Sequence, residues 1–252
     1  MGRKGGSKSL KRKPAPIFWP IHRKEDRWVV KPQAGPHKGN ECIPLLVILR
    51  DMLSIGKTRR EVDILLSRGN VKVDGVIKKH DDFPVGLMDI IEIPAIDKVY
   101  RVLPIWGKGL RLHEVPKEER DFKLCKIVGK TTVREGHIQL NLSDGRNIVV
   151  KVVDSKKPVE DVYKTRDLLR VSIPKVEILA HLQFGEGVLA LIDGGPNAGR
   201  WGEVVKIGKP DVYGSKITIK NAEDKEMETI SNYIFPIGKD EAWISLPREA
   251  EQ

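Results

Sequence analysis

Apolar residues recur along this chain with two periods. From Leu45 the spacing is helical: Leu45, Ile48, Leu49, Met52 and Leu53 fall at i, i+3, i+4, i+7 and i+8, one stripe on one helix. Pro44 suits the first turn, and Gly56 is expected to end the helix in a left-handed conformation. A second helix follows at once. Thr58 and Glu61 have capping-box spacing, Val62, Leu65 and Leu66 make its apolar face, and Gly69 stands where a C-terminal glycine belongs. Asp74-Gly75 then separates two β-branched runs, Val71–Val73 and Val76-Ile77, which predicts a hairpin with positive φ at both turn residues.

Past Pro94, read as a domain boundary, the period changes to two. His137–Leu142 alternates, Ser143–Arg146 supplies a turn, and Ile148, Val150 and Val152 alternate back. Val99–Leu103 and Leu169–Ile173 are further strand candidates, with a short polar helix near Pro116–Asp121. From Gly185 two apolar runs flank a glycine-rich loop containing Gly195 and Gly199, as a small barrel needs where another backbone comes close. Residues 221–252 are rich in acidic side chains and are expected to lie off any phosphate, with Trp243 and Leu246 docking them to the body.

Charge divides the chain differently. The net charge is +10, and residues 1–40 hold eleven basic residues against Glu25 and Asp26. Such a basic, Gly/Pro-rich arm reads as a tail that folds against a polyanion. Its aromatics, in Ile17–Ile21 and Trp28–Val30, have two open roles. They stack on unpaired bases or they anchor the arm to the body, and anchoring is preferred. A second basic group, Lys57, Arg59 and Arg60, crowds the start of the second helix and is continued by Arg68, Lys72, Lys78 and Lys79. Acidic residues are preferred at a helix start, so this positive end is expected to be completed by an external phosphate.

Other chemistry is excluded by pattern. Gly56-Lys57-Thr58 resembles the end of a Walker loop, but Asp51 stands where its first glycine belongs and a helix precedes it. Cys42 and Cys125 form no metal-binding spacing and fit a reducing compartment. No apolar run is long enough to span a bilayer, and no signal-peptide pattern opens the chain, so a cytoplasmic protein is expected. No catalytic grouping, metal site or cofactor motif stands out.

Gly56–Val62 and Arg68–Gly75 resemble the RNA-binding domain named after bacterial small-subunit ribosomal protein "S four", with Asp74 where Asn is commoner. Val188–Ile192, Gly195, Gly199, Gly202 and Val204 resemble a KOW motif, with a loop less basic than usual. With Lys11-Arg12, Pro16, Trp19-Pro20, Gly35–Lys38, Glu41–Leu45 and Pro84–Asp89, the order of motifs is similar to the archaeal and eukaryotic small-subunit ribosomal protein family "S four e". The resemblance implies a multidomain α+β protein, mostly β. Its parts would be a basic extended arm (1–41), a helix-helix-hairpin RNA-binding domain (42–94), a central β domain (95–183), an SH3-like KOW barrel (184–220) and an acidic C-terminal extension (221–252). It implies a non-enzymatic constituent of the small ribosomal subunit, partnered by ribosomal RNA and neighbouring ribosomal proteins, with no cofactor, membrane or small-molecule substrate. The expected RNA-contact set is Lys57, Arg59, Arg60, Arg68, Lys72, Lys78 and Lys79 on the folded unit. On the arm it is Arg3, Lys4, Lys8, Lys11, Arg12, Lys13, Trp19, Arg23, Lys24, Arg27, His37 and Lys38, and in the KOW loop Arg200. The rival readings are a transiently RNA-bound translation or transcription factor and an RNA-modifying enzyme. The latter lacks the Gly-Arg-Leu-Asp-like setting it would need.

Overall fold

The computed structural model describes residues 7–153, 159–209, 214–221 and 224–247. Strands outnumber helices among them, in three antiparallel five-stranded sheets and two short two-stranded pairs.

In the N-terminal unit, β3 (Ile43–Pro44) leads into α1 (Leu45–Val47), which continues as a π-helical turn over Ile48–Met52 closed by Leu53 N–H on the Ile48 carbonyl at 3.0 Å. The wider turn breaks the 3.6-residue period. Leu45, Ile48 and Leu49 are fully buried, whereas Met52 and Leu53 are only partly so. Pro44 is extended (ψ 143°) and sits before the helix, paired with Pro84 of β6 (Pro84–Val85). The left-handed residue is Ser54 (φ 52°) and not Gly56. Gly56 is required for a different reason: a Cβ there would lie 2.9 Å from Val62 Cγ2.

Helix α2 (Arg59–Ser67) starts and ends as its sequence dictates. Thr58 Oγ1 accepts the Glu61 N–H at 3.3 Å, and the Glu61 carboxylate accepts the Lys57 N–H at 2.8 Å. These bonds, that from Lys57 foremost, hold the Glu61 carboxyl below the usual carboxylate range. At the far end Gly69 (φ 76°) and Asn70 donate back to the Leu66 and Leu65 carbonyls, a Schellman closure. The chain then forms β4 (Lys72–Val73) and β5 (Val76–Ile77), with Asp74 (φ 49°) and Gly75 (φ 72°) in the primed turn.

The first large sheet has the order β5-β4-β7-β8-β9, adding β7 (Ile90–Ile93), β8 (Lys98–Ile105) and β9 (Gly109–Glu114). The boundary expected at residue 94 therefore falls inside a hairpin: Pro94–Ile96 is a single 3-10 turn, and Ile93 pairs with Lys98 across it. Proline ends the strand without ending the sheet.

The second sheet, β12-β11-β10-β13-β14, is organised by β10 (Phe122–Thr132), the longest strand described. Its first half pairs with β13 (Leu168–Ser172), whose other edge carries β14 (Ile178–Leu182). Its second half, beyond a bulge at Val128, pairs with β11 (Ile138–Leu142), which carries β12 (Asn147–Val150). The third sheet has the order β18-β17-β16-β15-β19, from β15 (Leu189–Ile192), β16 (Trp201–Ile207), β17 (Lys216–Lys220), β18 (Glu226–Ile230) and β19 (Ile234–Gly238). The expected module end at 220 is thus corrected. The acidic stretch supplies two strands, because Met227 is buried between Glu226 and Glu228 and the uncharged run Ile234–Gly238 is buried throughout. Beyond them Ile244 is buried, with Trp243 and Leu246 packed on the same cluster.

The arm is not extended over the described residues. β1 (Leu10–Lys11) pairs with β2 (Trp28–Val29), and Trp19 is 3% exposed in the N-terminal core, its indole N–H on the Cys42 carbonyl at 2.8 Å. Downstream, Gly35–His37 lies in a slot. A Cβ at Gly86 would meet the His37 ring at 2.3 Å, and one at Gly145 would meet the Pro36 carbonyl at 2.9 Å. Cys42 is buried beside this arm, and burial, reinforced by Asp89 and Glu41, pushes its thiol up to about 12.

A buried ionic cluster closes the junction between arm, first sheet and second sheet. Lys123 of β10, 1% exposed, donates to Asp74 at 2.9 Å and to Asp89, with Asp144 at 3.5 Å. Arg146 reaches Asp74 at 2.7 Å and Asp144 at 3.3 Å, and His37 Nε2 bonds Asp89 at 2.9 Å. Burial alone would raise the Asp89 carboxyl, but Lys123 and His37 outweigh it and hold the group well below the usual range. Burial likewise works against the Lys123 ammonium, and Asp89, Asp74 and Asp144 together raise it well above the usual range. A depressed carboxyl contributes stability above its unfolded pKa of about 3.9, lost as pH falls toward the folded value; a raised ammonium contributes below about 10.4, lost as pH climbs through the folded value. From these two groups, unfolding free energy should be flat between about pH 5 and 9 and fall on the acid side. Urea midpoints from about pH 3 to 9 test this, and a midpoint that rises as pH drops below about 5 would contradict it.

Candidate nucleic-acid interface

The expected cations sort into those used inside the fold and those left on its surface. Four residues of the expected set are corrected. Arg12 is 7% exposed, ion-paired with Asp26 at 2.8 Å and bonded to the His22 carbonyl at 2.6 Å. Arg23 donates to the carbonyls of Arg12, Lys13, Ala15 and Pro16 at 2.8–3.1 Å, tying the arm loop to itself. Trp19 has no ring face free for a base, and His37 is enclosed with Asp89. Each is consumed by the arm's attachment, because an ordered loop must satisfy its buried carbonyls and fill its apolar contacts. Arg3 and Lys4 lie outside the described residues.

Lys8, Lys11, Lys13, Lys24 and Arg27 remain exposed on the arm and form no ion pair among the described residues. Lys38 is exposed near Glu41 at 3.4 Å. The internal acids are spent on Arg12: Asp26 touches it directly and Glu25 stands 3.8 Å away.

On the helix-hairpin unit, Arg60, Ile64 and Arg68 follow at i, i+4 and i+8, opposite the buried Val62 and Leu66, which sets the two arginine Cα atoms about 12 Å apart along the axis. Lys57, Arg60, Arg68 and Lys79 are exposed and form no ion pair among the described residues. Arg59 differs, since its guanidinium lies 2.7 Å from Asp81 and 4.0 Å from Asp63. That contact holds the Lys78–Lys79 loop against the start of α2, while Lys78 lies 4.4 Å over the Phe83 ring. Lys72 is turned to Glu92 at 3.4 Å on the adjoining strand. The helix start is not the open anion seat expected from sequence, because Glu61 already takes a free N–H and Asp81 takes Arg59. What remains is a set of exposed guanidinium and ammonium groups. Arm and unit adjoin: an open cavity of about 490 Å³ is lined by Arg12, His22 and Asp26 of one and Arg50, Asp51 and Lys57 of the other.

In the third sheet Arg200 stacks on Trp106 of the β8–β9 turn at 4.0 Å. A Cβ at Gly199 would lie 2.2 Å from the Trp106 nitrogen, so the glycine loop does meet another backbone. On the outer face of this sheet Glu203, Lys220 and Glu226 are directly opposed across three strands. Sequence reasoning left Trp28, Trp106 and Lys108 out of the expected set. The signal for the last two was an aromatic and a lysine in a glycine-punctuated turn, Trp106–Gly109. No described group of His, Cys, Asp and Glu could hold a metal ion, and no described helix is long and apolar enough to cross a membrane.

Fold and surface define a class: a mostly β, multi-sheet protein with an arm and a small helix-hairpin unit that both carry exposed cations without an ion pair among the described residues. Two family models match the chain, ribosomal family S4e over residues 96–178 and the RS4NT (NUC023) domain over residues 4–40. It is 51% identical to the small ribosomal subunit protein eS4 of Staphylothermus marinus over 99% of this chain and all of that one. It is 47% identical to that of Aeropyrum pernix over 99% of each chain. The crystal structure of the 30S ribosomal protein S4e from Thermoplasma acidophilum superposes with a TM-score of 0.65 at 30% identity, covering 79% of this chain and 96% of that one. The chain belongs to ribosomal family S4e.

Proposed function

We propose that the protein is a structural constituent of the small ribosomal subunit that binds ribosomal RNA through the arm and the helix-hairpin unit. One observation carries the reading: the arm and the adjoining helix-hairpin unit both present exposed cations that form no ion pair among the described residues, Lys8, Lys11, Lys13, Lys24 and Arg27 on the first and Lys57, Arg60, Arg68 and Lys79 on the second. Residues 42–93 act as the S-four-type RNA-binding unit, with Arg60, Arg68 and Lys79 on phosphates. Residues 184–238 act as the KOW-type module. Contacts of this kind read RNA shape and backbone more than base sequence. The chain carries out no reaction of its own.

Salt dependence tests this. Arg60→Ala with Arg68→Ala should weaken binding to small-subunit RNA and flatten the log–log salt slope by roughly 0.7 to 0.9 per lost phosphate contact. Arg59→Ala should change it less, because Asp81 already shares that guanidinium. An unchanged slope in the double variant would place the footprint elsewhere. In the same salt series, the wild-type protein should stay on washed small subunits in stoichiometric amount, whereas a transient factor would leave.

A further inference from the structure

The arm's two tryptophans have opposite fates. Trp19 is buried, but Trp28 is 49% exposed, although most of an indole's surface is apolar. Its position follows from the ribbon. Leu10 faces Val29 and Lys11 faces Trp28. Leu10 and Val29 pack on the core, so alternation turns Lys11 and Trp28 outward together. The Arg27 guanidinium lies 5.1 Å from the indole centroid. Beside Lys11 and Arg27 opens a surface recess of about 570 Å³, also lined by Lys13, Arg23, Lys24, Glu25 and Asp26. Glu25 and Asp26 are directed to the buried Arg12, and Arg23 is spent on backbone carbonyls. The recess is therefore lined on balance by cations without partners, and an aromatic ring stands next to it.

We propose that Trp28 and this recess seat one unpaired nucleotide of the bound RNA, an inference that rests on the RNA-binding reading above. The base stacks on the exposed indole, and its flanking phosphates meet Lys11, Lys13, Lys24 and Arg27. A base inside a helix has both faces covered by its neighbours, so the seat selects a bulged, looped or single-stranded nucleotide. Stacking on an aromatic ring tolerates any base, which suits a site that offers no aligned edge donors.

The test uses the full-length protein with two probes, deproteinised small-subunit RNA and a twelve-nucleotide oligoadenylate, the latter alone and annealed to its complement. Trp28→Ala should weaken binding of the single strand and of the ribosomal RNA by roughly 5- to 150-fold, as loss of one stacked base does, with the salt slope unchanged. Trp28→Phe should restore most of the affinity, and the annealed duplex should be insensitive to either change. Lys13→Ala with Lys24→Ala should instead flatten the slope. If the wild type binds both probes and Trp28→Ala binds them equally well, the seat is refuted while the RNA-binding reading stands. If the wild type does not bind ribosomal RNA, both fall. If Trp28→Ala loses affinity only for intact small subunits, a protein neighbour covers the indole and the seat is refuted.

Discussion

Replacing Lys123 with methionine is expected to destabilise the fold by about 3–5 kcal/mol at neutral pH, the usual cost of stranding buried charge. The substitution fills the space but leaves Asp74, Asp89 and Asp144 facing one another, all buried, with Arg146 and His37 as their remaining partners. The penalty should shrink on mild acidification, since protonation removes the stranded charge. Chemical unfolding at two pH values reads both effects. Asp74→Asn separates two roles of one residue: asparagine still tolerates the left-handed turn position and can accept the Ile90 N–H at 3.0 Å, but it withdraws the charge facing Lys123 and Arg146. A smaller loss than in Lys123→Met is expected. Equal stability of Lys123→Met and wild type would show that the cluster does not hold the sheets together.

Trp19→Ala should release the arm. Truncating a large, fully packed aromatic costs about 3–5 kcal/mol, and this indole is the arm's most deeply buried large side chain among the described residues. Trp19 packs in the cluster with Leu45, Leu49 and Val85, and its N–H holds the Cys42 carbonyl. The expected result is local undocking. Tryptic cleavage among residues 8–31 should accelerate by roughly a hundredfold to a few thousandfold, each 1.4 kcal/mol being tenfold. The remainder of the chain should keep its unfolding transition. Trp19→Phe, which keeps apolar fill and loses one hydrogen bond, should cost only about 1–2 kcal/mol. Unaltered cleavage in Trp19→Ala would mean that other contacts with the body, such as Arg111 donating to the Phe18 carbonyl at 2.9 Å, hold the arm without the indole.

These two residues show where sequence reading succeeds and where it stops. Anchoring is the role the sequence favours for the arm's aromatics, and it holds for Trp19; it does not hold for Trp28, a few residues on. Nothing near either residue distinguishes them, because the difference lies in which side of a two-stranded ribbon faces the core. Pro94 reads as a boundary since proline ends a strand, yet whether the next strand pairs back is a long-range matter. The acidic stretch after residue 220 reads as an extension since its charges dominate, yet Met227 and the apolar run from Ile234 complete a sheet.

What the sequence determined by itself is local. Helix α2 with its cap and closing glycine, the Asp74-Gly75 turn, the β11–β12 hairpin and the excess of positive charge on the arm all follow from residues within a few positions of one another. Backbone conformation and short-range hydrogen bonds decide those features. Which cations remain free was settled by tertiary structure alone. Arg12, Arg23, Arg59 and Lys72 read in sequence as equivalent to Lys13, Arg60 and Lys79, but each finds a carboxylate or carbonyl brought from another segment, and a charge so paired is no longer offered to a phosphate.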